Sequence, residues 1–301
     1  MKVRILATIA FAAAAVAILS FAQPTSAQSA GDIPPVPRDP TMAPPIPGQN
    51  VNGMRIYIRT GLKTHGPGLH DYPQFLADWS KLLTERGAVV DGSLHAPTAE
   101  ELAKTDVMLM YKGDAGYMTA TEKATLDAFV KRGGGIVTIH DVLCGPDPEY
   151  FASIVGGGKK HGETNYSAGP MSYTIVDKSN PIMQGLSEEL TIQDEAFYSM
   201  TWAKNPQIHV LATVKMPASR SAGTHEGEVV PQIWTYEHTV PGGQSARAFV
   251  WMQGHAYSNM AMLEIRDMLL RGIAWAGKKP VNELVDYKAP PRPVRAPSGA
   301  G

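Results

Sequence analysis

Cysteine is nearly absent from this chain: Cys144 stands alone among 301 residues. An intramolecular disulfide and any zinc cage built from several thiolates are thereby excluded, so stability must come from a hydrophobic core. Excess charge is lacking too, with a formal net charge of −1. That balance offers no electrostatic footprint for nucleic acid and fits a small, neutral partner. Past residue 21 no stretch reaches the ~18 consecutive apolar residues of a membrane span. No Gly-Lys-Ser/Thr phosphate loop and no His-Glu-x-x-His zinc helix occur.

The one long apolar run, Ile5 to Phe21, follows Lys2 and Arg4 and precedes the small-residue pattern Thr25-Ser26-Ala27. This is the grammar of a secretory signal peptide over 1–27, which predicts a periplasmic or secreted protein with no membrane span after cleavage. Repeated prolines make 28–53 an extended linker and 288–301 a disordered Pro-rich tail. One domain is expected over 54–287.

Within that domain the first half alternates strands with helices. MRIYIR from Met54 is a strand. Phe75, Trp79, Leu82 and Leu83 recur at helical spacing, with Gly87 as the C-terminal cap. A short strand opens at Val89, and the run Thr105–Tyr111 reads as a strand buried on both faces. Thr119 and Glu122 spell a capping box for a helix that stops at Gly133; a strand follows over Ile136–His140 and a short helix over Pro148–Val155. The pattern predicts an α/β fold with a mostly parallel sheet. The second half (MSYTIV, LTIQ, HVLATV, PQIWTYE, RAFVWMQ) predicts added antiparallel strands, closed by a helix over Met260–Ala276.

Chemistry-bearing residues gather where strands end, the usual place for ligand sites in open α/β sheets. His65 and His70 flank a Gly-Pro-Gly turn after the first strand, and Asp71 is placed to cap the next helix. His140 closes a central strand, His161 follows a triple glycine, and His255 comes after the last strand. A strand-end histidine can be a general base, an orienting donor or a metal ligand, or simply a core histidine bonded to a carbonyl. Asp194 and Glu195 add carboxylates, and with His65, His140, His161 and His255 the candidates for a divalent cation such as zinc include Glu195. Adjacent acids on a solvated strand end are the plain alternative. Trp234, with Tyr236 and Trp251, offers an aromatic wall for a sugar ring, or core packing. Cys144 has a turn around it but no adjacent base, which argues against a thiol nucleophile.

The ordered set His65-Gly-Pro-Gly-Leu-His70-Asp71, strand-end His140, His161, Asn180-Pro-Ile-Met-Gln-Gly185, Asp194-Glu195, Pro231-Gln-Ile-Trp234, Gly254-His255 and Arg271-Gly-Ile-Ala-Trp275 resembles the ThuA-like family, named for trehalose utilisation, within the class I glutamine amidotransferase superfamily. The resemblance implies a flavodoxin-like three-layer sandwich in which His140 stands where an amidotransferase has its nucleophile, so glutaminase activity is not expected. It also implies a carbohydrate ligand. The resulting expectation is an enzyme, a carbohydrate-active lyase, isomerase or hydrolase acting on a sugar, glycoside or keto-glycoside. His140 and Glu195 are its acid–base pair, and His65, His70, His161, Trp234 and His255 bind substrate. A non-catalytic periplasmic carbohydrate-binding protein is the alternative.

Overall fold

A computed structural model describes residues 53–204, 207–218 and 223–288. The expected signal peptide, the linker up to residue 52 and the tail past 288 lie outside them. The strands are β1 (Arg55–Thr60), β2 (Val89–Ser93), β3 (Val107–Tyr111), β4 (Gly135–Ile139), β5 (Gly157–Gly158), β6 (Asn165–Ile175), β7 (Thr191–Tyr198), β8 (Thr201–Trp202), β9 (Ile208–Lys215), β10 (Val229–Thr239) and β11 (Ser245–Trp251). The helices are α1 (Tyr72–Glu85), α2 (Ala99–Ala103), α3 (Ala120–Lys131), α4 (Pro148–Val155) and α5 (Leu263–Ala276).

Among the described residues one large sheet runs in the order β2-β1-β3-β4-β11-β10-β9-β6-β7. Its first five strands are parallel and the rest antiparallel. The parallel strands follow the flavodoxin-like order, in which the chain turns opposite ways after β1 and β3 and opens a crevice at their C-terminal ends. The continuous apolar runs are explained by burial on both faces. On one face Phe75 and Trp79 of α1 pack with Leu269 and Ile273 of α5. On the other, Leu126 and Phe129 of α3 pack with Phe151 of α4. Each such side chain, fully buried, contributes about 1.5–3 kcal/mol.

Local signals mostly set the boundaries. Thr119 and Glu122 close the expected capping box, and the same box at Thr98 and Glu101 starts α2. Gly87, at φ 85°, takes the left-handed turn past α1. Two expectations need correction. Asp71 sits at the N-cap of α1 but makes no side-chain cap bond; its carboxylate pairs instead with Lys63. The closing helix begins at Leu263, because Tyr257–Ala261 forms a 3-10 turn before it.

The antiparallel half is tied back onto the parallel half by buried amides. A bulge in β10 re-aims Gln232, whose amide accepts from Phe197 N (3.1 Å) and donates to Phe197 O (2.8 Å). Gln253 Nε2 then donates to Gln232 Oε1 (2.7 Å) and to Glu195 O (3.1 Å). Residues 194–197 of β7 are thus carried to the C-terminal end of β11. No helix among the described residues is long and apolar enough to cross a membrane.

Candidate active site

Three loops bring the imidazoles together. The loop after β1 is stitched to the loop after β11 by His70 N donating to His255 O (3.1 Å) and Tyr257 N to Gly68 O (2.9 Å). His70 and His140 both hold positive φ, 47° and 61°. For a non-glycine residue that strain costs about 1–3 kcal/mol, and it swings each ring off its strand or loop toward the other. His70 Nε2 lies 2.9 Å from His140 Nε2 and 2.9 Å from His255 Nδ1. Glu195 reaches in from β7, 3.8 Å from His140 Nε2 and 3.5 Å from His255 Nδ1.

The outer nitrogens are held as well. His140 Nδ1 donates to Met252 O (3.2 Å), and His70 Nδ1 meets Thr64 Oγ1 (3.0 Å). Burial, then the neighbouring imidazoles, hold His70 and His140 well below the ordinary histidine value, and burial lowers His255 to about 4. All three rings are therefore neutral near pH 7, with lone pairs to offer. Burial and then the Asp194 charge push Glu195 up to about 8.

Asp194 has a different task. Burial raises it to about 6, while its carboxylate accepts from the backbone N–H groups of Glu195 (2.8 Å), Gly254 (3.1 Å) and His255 (3.1 Å) and from Asn259 Nδ2 (2.6 Å). It clamps the turn that carries His255. Successive strand residues point to opposite faces, yet both acids are buried, so they do not lie on the solvated strand end that adjacent acids usually mark.

The cluster lines a cleft of about 360 Å³ together with Asp114, Asp141, Lys159, His161, Tyr166 and Phe197. His65 leans on His70 with ring centroids 3.9 Å apart and ring planes inclined by 59°. His161 is at the rim, its Nε2 2.8 Å from Asp114 Oδ1. Buried Lys159 pairs with Asp141 and sits 4.0 Å above the Phe197 ring, a contact that sequence reasoning missed because nothing in a triple-glycine loop marks one lysine over the next. Trp234 is the correction among the expected binding residues. It is fully buried, and its indole donates to Val155 O (2.8 Å), so it packs between β10 and α4 and lies outside the cleft lining. Trp251 is buried likewise, donating to Tyr173 Oη (2.8 Å). The aromatic ring that the cleft does expose is Tyr166. Burial pushes the Cys144 thiol up to about 12, which leaves it a poor nucleophile at neutral pH.

Chemically, the arrangement offers three neutral imidazole nitrogens and one carboxylate converging on a common centre, in a polar cleft large enough for a sugar ring. The imidazole nitrogens lie within 4.8 Å of one another, as a metal ligand set requires.

Comparison with known proteins bears on the whole of this region. A family profile described as ThuA, trehalose utilisation, matches residues 63–276. No curated protein matches the chain. Among solved structures, a ThuA-like protein of Bacteroides uniformis superposes with a TM-score of 0.47 at 13% identity, over 77% of this chain and 96% of that one. A β-galactosidase from Rahnella sp. R3 does so with 0.45 at 17% identity, over 75% of this chain and 32% of its own. PurLQS from Thermotoga maritima gives 0.40 at 10% identity, over 72% and 99%. The matched profile takes in more than half of the chain and every residue of the histidine–carboxylate cluster, and the chain belongs to the ThuA family, whose description is trehalose utilisation.

Proposed function

We propose that this protein is an exported enzyme of carbohydrate catabolism, acting on a sugar, glycoside or keto-glycoside in the His70–His140–His255 cleft with a divalent cation of the zinc class. Proton arithmetic carries the reading. The Met252 carbonyl fixes the His140 proton on Nδ1, so neutral His140 presents a bare lone pair at Nε2. His70 Nε2 has two nitrogen neighbours at 2.9 Å, and a single N–H cannot serve both. As a hydrogen-bond network the three rings are frustrated; as ligands they are complete, with the carbonyl bond supplying the outer-shell partner that metal-binding histidines ordinarily have.

Such a cation, when bound, polarises a carbonyl or hydroxyl oxygen of the substrate. The chain's own residues do the rest. Glu195, raised to about 8, is suited in its ionised form to taking the proton next to a carbonyl in a keto-glycoside and in its protonated form to giving that proton to the leaving oxygen or to the neighbouring carbon, toward elimination or isomerisation. Tyr166 offers a face for the sugar ring, and Asp141 and Lys159 supply polar partners for hydroxyls. Support for export is confined to the leader, in the order Lys2, Arg4, apolar run, Thr25-Ser26-Ala27.

The test is product formation from keto-glycosides and plain disaccharides by protein whose metal content has been measured after chelator-free purification. His140→Ala and Glu195→Ala, folded by circular dichroism, should each lose ~10²–10⁴-fold in turnover. Turnover at the parent rate in both would falsify the assignment. Sugar-binding heat without product from any substrate would favour a carbohydrate-binding protein instead.

A further inference from the structure

We propose that Asp114, Cys144 and His161 form a second cation site on the rim of the cleft, selective for a borderline-soft divalent ion of the zinc class. One ligand atom from each of the three lies within 4.8 Å of the others. None belongs to the His70–His140–His255 set, so the site stands whether or not the first one takes an ion.

The three side chains come from three separate loops, after β3, β4 and β5, that are fixed to one another through their backbones. Asp114 N donates to Asp141 O (3.1 Å) and Gly116 N to Cys144 O (2.9 Å). Gly145 N donates to Lys159 O (3.1 Å) and Lys159 N to Leu143 O (3.0 Å). Gly116 and Gly145 meet so closely that a Cβ on either would come within 2.7 Å of the other's Cα. Asp114 itself holds a left-handed φ of 55°, at which its carboxylate turns onto His161. Preorganisation of this kind spares an incoming ion the cost of ordering its ligands.

The donor set decides the class of ion. A thiolate, an imidazole and a carboxylate suit zinc and disfavour magnesium or calcium, which take oxygen alone. Cys144 is a protonated thiol without the ion, so binding releases its proton to solvent; thiolate and carboxylate together then cancel a double positive charge, and the nearby Lys159 ammonium is already matched by Asp141. Burial differs along the set: Cys144 is buried, whereas the side chains of Asp114 and His161 are 44% and 61% exposed. The sulfur would thus be the inner anchor, with Asp114 and His161 holding the ion from the cleft that both of them line.

Cobalt distinguishes this site from the first, because only a sulfur ligand gives a thiolate-to-cobalt charge-transfer band in the near ultraviolet. Full-length protein stripped with chelator and titrated with Co²⁺ should develop that band, saturating at about one equivalent where the first site has been removed. The band should persist in a His70→Ala, His140→Ala double variant and be lost in Cys144→Ser. His161→Ala changes an exposed side chain and should weaken the binding that the band reports by ~10-fold or more; it decides the matter if Cys144→Ser fails to fold. Absence of the band in excess Co²⁺, or a midpoint unmoved by both His161→Ala and Asp114→Asn, would overturn the proposal and leave Cys144 a core thiol beside a surface ion pair. Failure of the first site would be seen separately, as metal content that His70→Ala and His140→Ala leave unchanged.

Discussion

In the parallel half of the sheet, from β2 to β11, His70, His140 and His255 stand in turns beyond the strands, each ring free to be aimed by its loop. In the antiparallel half, Asp194 and Glu195 lie within β7, their directions fixed by the pleat and by the Gln232 and Gln253 amides beneath them. The parallel half contributes neutral imidazoles on loops, and the antiparallel half contributes two buried carboxyl groups on a rigid rail.

The sharpest way to break that division is Asp194→Asn. The amide keeps the shape but loses the charge that gathers the Glu195, Gly254 and His255 N–H groups. Cation affinity should fall ~10–100-fold, read by competition with a chromophoric chelator, as for an outer-shell ligand partner. Unchanged affinity would mean that the loop after β11 holds its shape without the rail.

A smaller effect concerns charge alone. In chelator-treated protein Glu195 sits near 8 against 4.5 for an ordinary glutamate, so the native state keeps a proton that the unfolded chain releases as pH rises through 4.5. The contribution of Glu195 is therefore full below about pH 4.5 and is lost toward pH 8, and Asp194, raised from 3.8 to about 6 by the same burial, adds to the acid end of that slope; the buried histidines, lowered from 6.5, act in the opposite sense in both proteins and cancel in the comparison. Glu195→Gln should flatten the fall by on the order of 1–2 kcal/mol in urea unfolding between pH 5 and 8. Parallel slopes in the two proteins would show that the carboxylate is solvated.

Least of all, Thr119→Ala removes the cap of α3 on the parallel half and should cost about 1 kcal/mol in urea with no change in cation affinity. A linked loss of affinity would mean that the site depends on a helix whose buried residues pack on the far face of the sheet.

Legibility in the sequence follows the same division. Parallel strands buried on both faces and helices with capping boxes leave local marks, so β1, β3, β4, α3 and α4 were readable to within a residue or two. The strand-end histidines were readable because topology alone puts such ends at one edge. Trp234 misled because an aromatic on a strand has two faces to choose from, and the sequence does not say that α4 covers the one it took. Asp71 misled because Lys63, eight residues earlier, competes for its carboxylate. Tyr166 and Lys159 were invisible as cleft residues, since their placement depends on how the β6–β7 ribbon and the loop after β5 fold back over the sheet.

β11, the last strand among the described residues, is the one that joins the two halves, lying between β4 and β10. Its partners on β4 are more than a hundred residues earlier, a closure that makes for slow folding. The sheet must wait for its central member, and His255 arrives only with the turn that follows it. A chain not yet made past residue 255 therefore lacks one of the three imidazoles and the strand that joins the halves.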